Sequence, residues 1–258
     1  MTFPNFSGKH DKAALYGPRD YIEYQRTGNK YLEFEVPQGV IICYQNSLWK
    51  YIVNKQKTTR LKGFFGDIRL LDGTGGKVAV IGKFGIGAPV AVALLEELIA
   101  FGVTNFISIG SAGTLQKEIE IGDIVVCDKA IRDEGTSYHY LEGAKHAHAS
   151  KKITKEIMES LDRCKVKYHV GTSWTTDAPY RETLAEIRKY QSEGVATVEM
   201  EAAALFAVAE YRKVDMGSFF TISDSLAELE WKPEFHGETA KKSLETIFKV
   251  AVEVLMGE

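Results

Sequence analysis

Cysteine is scarce in this sequence, and the few cysteines are far apart. Cys43, Cys127 and Cys164 are the three among 258 residues, and no two of them have the spacing of a redox pair or of a metal site. This pattern excludes a disulfide framework and indicates free thiols in a reducing compartment. We therefore expect a cytoplasmic protein without a bound metal.

Long apolar runs and an excess of positive charge are also missing. The longest apolar stretches are KVAVIG and FISIGSAG, whereas a membrane-spanning helix needs about 20 apolar residues. The first residues lack the basic-then-apolar pattern of a signal peptide. With a net charge of −3, the chain has no general attraction to nucleic acid or to an anionic membrane. We expect neither of them as a partner.

Apolar runs bounded by glycine alternate with helical patterns along most of the chain. The helical patterns lie at 88–102, 151–164, 182–194, 201–213 and 239–255, and the predicted strands lie at 39–44, 77–84, 105–110, 123–131, 168–174, 195–200 and 215–223. Strands that alternate with helices indicate a sheet covered on both faces. The sequence therefore predicts a single α/β domain over residues 1–258, a three-layer sandwich whose mixed, partly barrel-like central sheet is flanked by helices.

Ligands of such sheets bind at the carboxyl ends of the strands. Small or acidic residues mark four predicted strand ends, which are Phe84–Gly87, Gly110–Gly113, Met200–Glu201 and Ser223–Asp224. Glycine lets a ligand approach the main chain, and free N–H groups at a helix start bind anions. Taken one at a time, each stretch is explained equally well by a tight turn or a helix cap.

Two further stretches allow both a functional and a structural interpretation. Glu199 and Glu201 flank a methionine where the strand GVATV meets the helix EAAALFAVAEY, and an acidic residue in the first turn stabilises a helix through its dipole. In SWTTDAPYRE, Trp174 and Arg181 suit a planar heterocycle that needs stacking and edge hydrogen bonds. Aromatic residues in such a stretch also cover a core, so the residue types alone leave both questions open.

Four motifs in unbroken order carry a family resemblance. Between about Lys77 and Ser225, the segments GIGAPVAVALLEELIAFGV, ISIGSAGTLQKEIEIGDIVV, VEMEAAALFAVA and TISDS resemble the nucleoside phosphorylase family, which includes uridine phosphorylases, bacterial purine nucleoside phosphorylases and methylthioadenosine nucleosidases. The resemblance implies an enzyme that cleaves the N-glycosidic bond of a nucleoside by phosphorolysis to free base and pentose 1-phosphate. It also implies a homo-oligomer, a dimer or a hexamer, that uses phosphate as co-substrate and no cofactor.

The same resemblance implies roles for individual residues. The family glutamate that matches Glu201 accepts hydrogen bonds from the ribose hydroxyls, and Met200 would lie against the sugar. Asp224 matches the aspartate with which purine members protonate or hydrogen-bond the base. The other expected substrate-binding residues are Glu199, Gly113, Trp174, Arg181, Ser111 and Gly87.

The chain departs from the family pattern at the phosphate site. Family members carry a glycine–aspartate–proline stretch with an arginine after the first strand, where this chain has CYQNSLWKYI, and another arginine where it has Ser108. Arg60 and Arg69 do not fall into register with a third family arginine. Backbone N–H groups of Gly85, Gly87 and Ser111 could replace them without compensating charge, and Arg132 is a further candidate, although it is expected to pair with Asp133 or Glu134 at the surface.

The missing arginines leave two alternatives to phosphorolysis. One is a nucleosidase that uses water, as relatives of the same fold do. The other is a protein that binds a nucleoside without turnover, which the presence of both Glu201 and Asp224 disfavours. Whether His10 reaches the sugar of a neighbouring subunit is left open by the sequence.

Overall fold

One hydrogen-bonded sheet of eleven strands runs through the residues that the computed structural model describes, which are 4–6, 8–28, 35–61 and 65–257. Those strands are β1 (Gly39–Cys43), β2 (Thr58–Leu61), β3 (Asp67–Leu71), β4 (Val78–Gly82), β5 (Asn105–Thr114), β6 (Ile124–Asp133), β7 (His146–His148), β8 (His169–Thr176), β9 (Thr197–Glu199), β10 (Asp215–Ser225) and β11 (Lys232–Pro233). All residues of β1 and β4 are buried, because both faces of the sheet are covered there. Such strands have continuous apolar sequences rather than alternating ones.

Five of these strands close on one another. β5 pairs with β10, β10 with β6, β6 with β8, β8 with β9, and β9 returns to β5. From β5 the sheet continues outward through β1, β4, β3 and β2. Parallel and antiparallel pairs both occur, since β5–β10 is parallel and β5–β9 is antiparallel. The predicted α/β fold with a mixed, partly barrel-like sheet is confirmed.

Seven α-helices in the described ranges flank the sheet: α1 (Pro18–Thr27), α2 (Asn46–Lys55), α3 (Ala88–Phe101), α4 (Lys151–Arg163), α5 (Leu184–Ser192), α6 (Ala202–Arg212) and α7 (Glu238–Met256). α3 and α6 share one apolar core with one face of the sheet, and α2, α4 and α7 share another with the opposite face. The run from Ala202 to Ala209 is buried without interruption, since small side chains let α6 lie between the sheet and α3. No helix of the described part is both long and apolar enough to cross a membrane.

The structure extends some predicted strands and adds two helices, α1 and α2, and four strands, β2, β3, β7 and β11, that the sequence does not predict. β5 and β10 run past their predicted ends at 110 and 223. The sheet closes into the barrel there, and β5 stays hydrogen-bonded to β10 and then also to β9 up to Thr114. Gly110–Gly113 and Asp224 therefore lie inside strands rather than after them. The segment CYQNSLWKYI, not predicted as a helix, enters α2, which buries Leu48, Trp49 and Ile52.

Candidate active site

The two glutamates at the joint between β9 and α6 have different positions. Glu201 occupies the N-cap position of α6, but its side chain makes no capping hydrogen bond. Its Oε1 atom instead accepts the backbone N–H of Gly87, 2.5 Å away. The carboxylate of Glu199 takes the capping place and accepts the N–H groups of Glu201 at 2.8 Å and Ala202 at 2.7 Å. The helix-cap interpretation therefore applies to Glu199 and not to Glu201.

Glu199 is enclosed by protein donors. Besides the two backbone N–H groups on Oε2, its Oε1 atom accepts the hydroxyls of Ser173 at 3.2 Å and Thr175 at 2.5 Å. The side chain of Glu199 is buried, and both of its oxygens are occupied. In this position Glu199 fixes the start of α6 and so the position of Glu201.

Glu201 lies in an environment that disfavours its charge. Burial and then the negative charge of Glu199 raise the pKa of Glu201 to about 8, against the lowering effect of hydrogen bonds from the backbone N–H groups of Gly87 and Met200. A carboxyl of this kind gains most from a ligand that brings new hydrogen-bond donors, since such donors favour the charged form. Met200, half-buried beside it, supplies an apolar surface.

The loop between β4 and α3 carries the donor for Glu201. Gly85 and Gly87 have φ angles of 100° and 104°, a region that residues with a Cβ atom rarely adopt. This conformation turns the N–H of the buried Gly87 toward α6 at the start of α3. The glycines are thus required by the backbone geometry that brings the loop to Glu201.

Gly113 of β5 lies between β9, the strand that leads to Glu201, and β10, the strand that carries Asp224. In the sheet it pairs with Val198 of β9 on one side and with Asp224 of β10 on the other. A Cβ atom on Gly113 would lie 3.0 Å from Oδ2 of Asp224 and 3.2 Å from the side chain of Val198. The absent side chain therefore leaves the space that the Asp224 carboxyl occupies.

Asp224 is buried and hydrogen-bonded at both oxygens. Its Oδ1 atom accepts the hydroxyl of Ser223 at 2.8 Å, and its Oδ2 atom accepts the indole N–H of Trp231 at 3.0 Å. Trp231 is 61% exposed and contacts Phe235 at a ring-centroid distance of 6.2 Å. Sequence reasoning missed Trp231, whose position follows from the pairing of β10 with β11.

Tyr44 and Ser108 occupy the positions at which the sequence lacks the family's phosphate-binding residues. Their hydroxyls form a hydrogen bond of 3.2 Å, and the ring of Tyr44 packs edge-on against Phe84. A Cβ atom on Gly110 would approach the Tyr44 ring to 3.2 Å. Burial, followed by the negative charge of Glu201, raises the pKa of Tyr44. A neutral hydroxyl pair therefore stands close to Glu201.

A cavity of about 220 Å³ lies at the N-terminus of α2. The amide of Gln45 donates to the hydroxyl of Ser111 at 2.9 Å. Oε1 of Gln45 and Oγ1 of Thr221 are buried without a hydrogen-bond partner in the described ranges. The cavity is lined by Gln45, Asn46, Ser47, Ser111, Thr221, Ser223, Phe235, His236, Ala240 and Leu244. Hydroxyls and free helix N–H groups make it suitable for an oxyanion.

Trp174 is not at a ligand surface, contrary to the sequence prediction. It lies in β8 and is 1% exposed, its ring packs on Tyr190 at 4.8 Å between centroids, and its indole N–H donates to Asp133. The apolar cluster formed with α5 encloses the ring, so no face remains for a base to stack on. Arg181, by contrast, is exposed on the short turn Pro179–Arg181.

Three arginines considered for phosphate are engaged elsewhere. Arg132 is buried rather than at the surface, and its guanidinium donates to the hydroxyl of Ser137 and to two backbone carbonyls of its own loop. Arg60 and Arg69 both pair with Asp67 in the hairpin of β2 and β3. The ring of His10 lies 2.8 Å from the backbone oxygen of Tyr138 in the same chain. Within the described residues, no group of three side chains could hold a metal ion.

A partly closed barrel inside an α/β sandwich, with the buried carboxyl groups of Glu201 and Asp224 at its strand ends, defines the class of α/β proteins with a polar site at one edge of the sheet. Comparison with known proteins gives the family. Residues 51–256 match the model of the Phosphorylase superfamily, and the chain belongs to this superfamily.

Individual relatives agree with this assignment. The chain is 31% identical to the DeoD-type purine nucleoside phosphorylase of Thermoanaerobacter pseudethanolicus, over 86% of this chain and 96% of that protein. It is 29% identical to the uridine phosphorylase of Thermococcus kodakarensis over 66% of this chain, but the match spans only 65% of that enzyme. The crystal structure of uridine phosphorylase from Vibrio fischeri superposes with a TM-score of 0.76 at 27% identity, covering 87% of this chain and 94% of that one.

Proposed function

We propose that this protein cleaves the N-glycosidic bond of a nucleoside by phosphorolysis, releasing the free base and a pentose 1-phosphate. The observation that carries the proposal is a pair of buried carboxyl groups, Glu201 at the joint that follows β9 and Asp224 on β10, where β9 and β10 both pair with β5 at Gly113, in a chain of the Phosphorylase superfamily. Relatives named uridine phosphorylase and purine nucleoside phosphorylase support it. The reaction needs a site for sugar, a site for base and a site for phosphate.

Glu201 binds the sugar in this proposal. A carboxylate with two oxygens matches two neighbouring ribose hydroxyls, and charge-assisted hydrogen bonds are strong. Met200 covers the apolar face of the sugar. Glu199 holds the joint between β9 and α6 by accepting the N–H groups of Glu201 and Ala202. When the bond between the sugar and the base breaks, the sugar acquires oxocarbenium character, and contacts that strengthen in that state accelerate the reaction.

The base lies at the Asp224 end. The backbone of Gly113 borders it, and Asp224 hydrogen-bonds a polar edge of the base. Arg181 stands at the exposed rim and closes the site over the base. Trp174 contributes through the packing of β8 and not by stacking. A base with a polar ring edge, such as a purine, fits this end.

Phosphate occupies the cavity at the N-terminus of α2. The N–H groups of Asn46, Ser47 and Leu48 precede the first hydrogen bond of the helix, which joins the N–H of Trp49 to the carbonyl of Gln45. Such free N–H groups and the helix dipole stabilise an anion. A hydrogen phosphate also carries a hydroxyl, which would satisfy the unpartnered Oε1 of Gln45. The hydroxyls of Ser111 and Ser223 connect this cavity to the base end.

Water as the nucleophile is the second candidate, and the Tyr44–Ser108 pair favours it. A phosphate dianion needs cations or a concentration of N–H donors, and this pair is neutral. A protein that binds a nucleoside without turnover is a third candidate, but it would not need both Glu201 and Asp224.

The experiment that separates these candidates measures base release from a panel of purine and pyrimidine nucleosides with and without phosphate. We expect release to require phosphate and to be accompanied by accumulation of pentose 1-phosphate, with a high KM for phosphate because cations are few. Full activity in phosphate-free buffer with free sugar as the second product would establish hydrolysis instead. Tight nucleoside binding without base release would establish a binding protein.

The remaining features of the proposed enzyme follow the family. It is a homo-oligomer, a dimer or a hexamer, that acts in the cytoplasm without cofactor or metal. Ile86 and Tyr180, which are 64% and 99% exposed near the site loops, are suited to contact a second subunit. Light scattering on the purified protein, compared with an Ile86→Asp variant, tests whether this surface supports an oligomer.

A further inference from the structure

Trp231 is an exposed aromatic residue that the fold attaches to the buried carboxyl at the proposed base end. Its indole N–H donates to Oδ2 of Asp224 at 3.0 Å, although Trp231 is 61% exposed and Asp224 is buried. The other two tryptophans, Trp49 and Trp174, are buried in apolar clusters. Trp231 is thus the tryptophan that a ligand arriving from solvent can contact.

The segment that carries Trp231 is held on both sides of the indole. Before it, the side-chain amide of Gln191 donates to the carbonyl of Ala227 at 3.1 Å. After it, β11 pairs with β10, and Pro233 lies opposite Asp224. These contacts fix the place of the indole, so the segment loses little conformational entropy when a ligand packs against it.

One oxygen of Asp224 faces both the indole and the space beside Gly113. Oδ2 accepts the Trp231 N–H, and it lies 3.0 Å from the point at which Gly113 would carry a Cβ atom. A base that lies over the Gly113 backbone and donates to this oxygen therefore shares it with the indole. Two donors on one oxygen lie about 4–5 Å apart, and aromatic rings at such separations contact each other. The base would thus have the indole as its neighbour.

Phe235 extends this aromatic surface toward the cavity at the N-terminus of α2. Its ring centroid lies 6.2 Å from that of Trp231, and it lines the cavity together with Ser111 and Ser223. The surface formed by the two rings therefore runs from the Asp224 carboxyl to the place proposed for phosphate. An aromatic surface there suits a planar nucleobase, because every base has a face that stacks on an aromatic ring.

We propose that Trp231 is the base-binding aromatic residue of this protein. Its ring stacks on the nucleobase, and its indole N–H holds the Asp224 carboxyl beside the edge of the base. The inference rests on the proposed cleavage of nucleosides and deepens it by assigning the stacking residue. Trp174, which the sequence predicts for this role, is enclosed by the core. If Trp231 only fastened the hairpin of β10 and β11, its replacement would leave ligand affinity unchanged.

The first test uses tryptophan fluorescence and needs no turnover. Acrylamide quenches exposed indoles, so in the free protein it should quench mainly Trp231. The probes are adenine, hypoxanthine, guanine and uracil, which do not react in the absence of a pentose 1-phosphate, and calorimetry shows which of them bind. We expect a bound base to protect the emission from acrylamide, and we expect Trp231→Phe to lack the quenchable emission. A base that binds without changing the quenching would overturn the inference.

The second test separates the ring of Trp231 from its N–H group. Trp231→Phe keeps an aromatic face and removes the donor to Asp224, whereas Trp231→Ala removes both. On the nucleoside that the wild type cleaves fastest, we expect Trp231→Ala to raise KM about 5- to 150-fold and Trp231→Phe to raise it by no more than a few-fold. Tyr24→Ala is the matched control, because it removes a similarly exposed ring from α1.

Melting curves on the three variants show whether the fold is intact, and if Trp231→Ala does not fold, the acrylamide result decides. A KM that is unchanged in a folded Trp231→Ala variant would overturn the inference while nucleoside cleavage stands. If the wild-type protein cleaves no nucleoside in any buffer and binds no base, the proposed function fails, and the stacking role fails with it.

Discussion

The carboxylate of Glu199 accepts the backbone N–H of Glu201 at 2.8 Å, so one acidic side chain fixes the residue that carries the other. The two glutamates are close enough for the charge of Glu199 to raise the pKa of Glu201. Glu199 thus acts on Glu201 in two ways, by holding its backbone and by disfavouring its charge. The two residues should respond differently to the same substitution.

Glu201→Gln should abolish most of the activity and leave the fold intact. The lost charge-assisted hydrogen bonds to the sugar are worth on the order of 2–4 kcal/mol in the transition state, or about two to three decades in kcat/KM. Steady-state kinetics and a melting curve on the same preparation measure both properties. Glu199→Gln is the comparison variant, and we expect it to lower the free energy of unfolding by about 1–3 kcal/mol through its lost cap. Unchanged turnover in Glu201→Gln would make Glu201 a purely structural residue.

Glu201 should also make stability depend on pH. Its pKa is about 8 in the fold and 4.5 in the unfolded chain, so its contribution to stability is complete below the lower value and is lost as the pH rises toward the higher one. Glu201→Gln removes this titration. We therefore expect the melting temperature of the variant, relative to the wild type, to increase from about pH 5 to about pH 8. A difference that is constant across this range would contradict the raised pKa.

Gly113→Ala should impair activity by displacing Asp224. The added Cβ atom would lie 3.0 Å from Oδ2 of Asp224, so the carboxyl must give way by a few tenths of an ångström. Because misplacement by about 1 Å costs roughly 10²-fold in rate, we expect a smaller loss than that. Gly73→Ala is the matched control, because a Cβ atom there meets nothing within 4 Å. Kinetics on both variants measure the effect, and equal activity would show that the position of Asp224 is not limiting.

Thr221→Val should show whether phosphate binds in the cavity at the N-terminus of α2, which Thr221 lines. Its hydroxyl is buried without a described partner, so removing it should raise the free energy of unfolding by about 1 kcal/mol. If phosphate binds there, the KM for phosphate should also increase about five- to tenfold. Thr197→Val is the control, since Thr197 has an equally unpartnered hydroxyl outside the cavity. A KM that stays the same in both variants would place phosphate elsewhere.

The sequence predicts the core of this structure well, because its main elements have strong local signals. Helix α3, for example, starts after Gly87 and stops at Gly102 as the glycines indicate. The end of β5 was predicted wrongly because a strand ends where its partners end, and those partners come from distant parts of the chain. The same limit applies to Trp174, whose neighbours Tyr190 and Asp133 lie far from it in sequence.

Several site residues had no usable sequence signal. Tyr44 and Ser108 stand out as departures from the family pattern, but only the fold shows that their hydroxyls meet. Trp231 reaches Asp224 through a short hairpin. It has no motif of its own, since its contact with the carboxyl depends on how the folded chain pairs β10 with β11.

Strand β5 has consequences for the order in which the molecule is made. Its partners are β1, which precedes it, and β9 and β10, which follow it by roughly 90 and 110 residues. During synthesis from the N-terminus, the edge of β5 that later pairs with β9 and β10 therefore stays unpaired until most of the chain has been made. Exposed strand edges promote association with other chains. A nascent or truncated chain that ends before Asp215 lacks the acid end of the site and is also prone to aggregate, so inactivity and insolubility should appear together in C-terminal truncations.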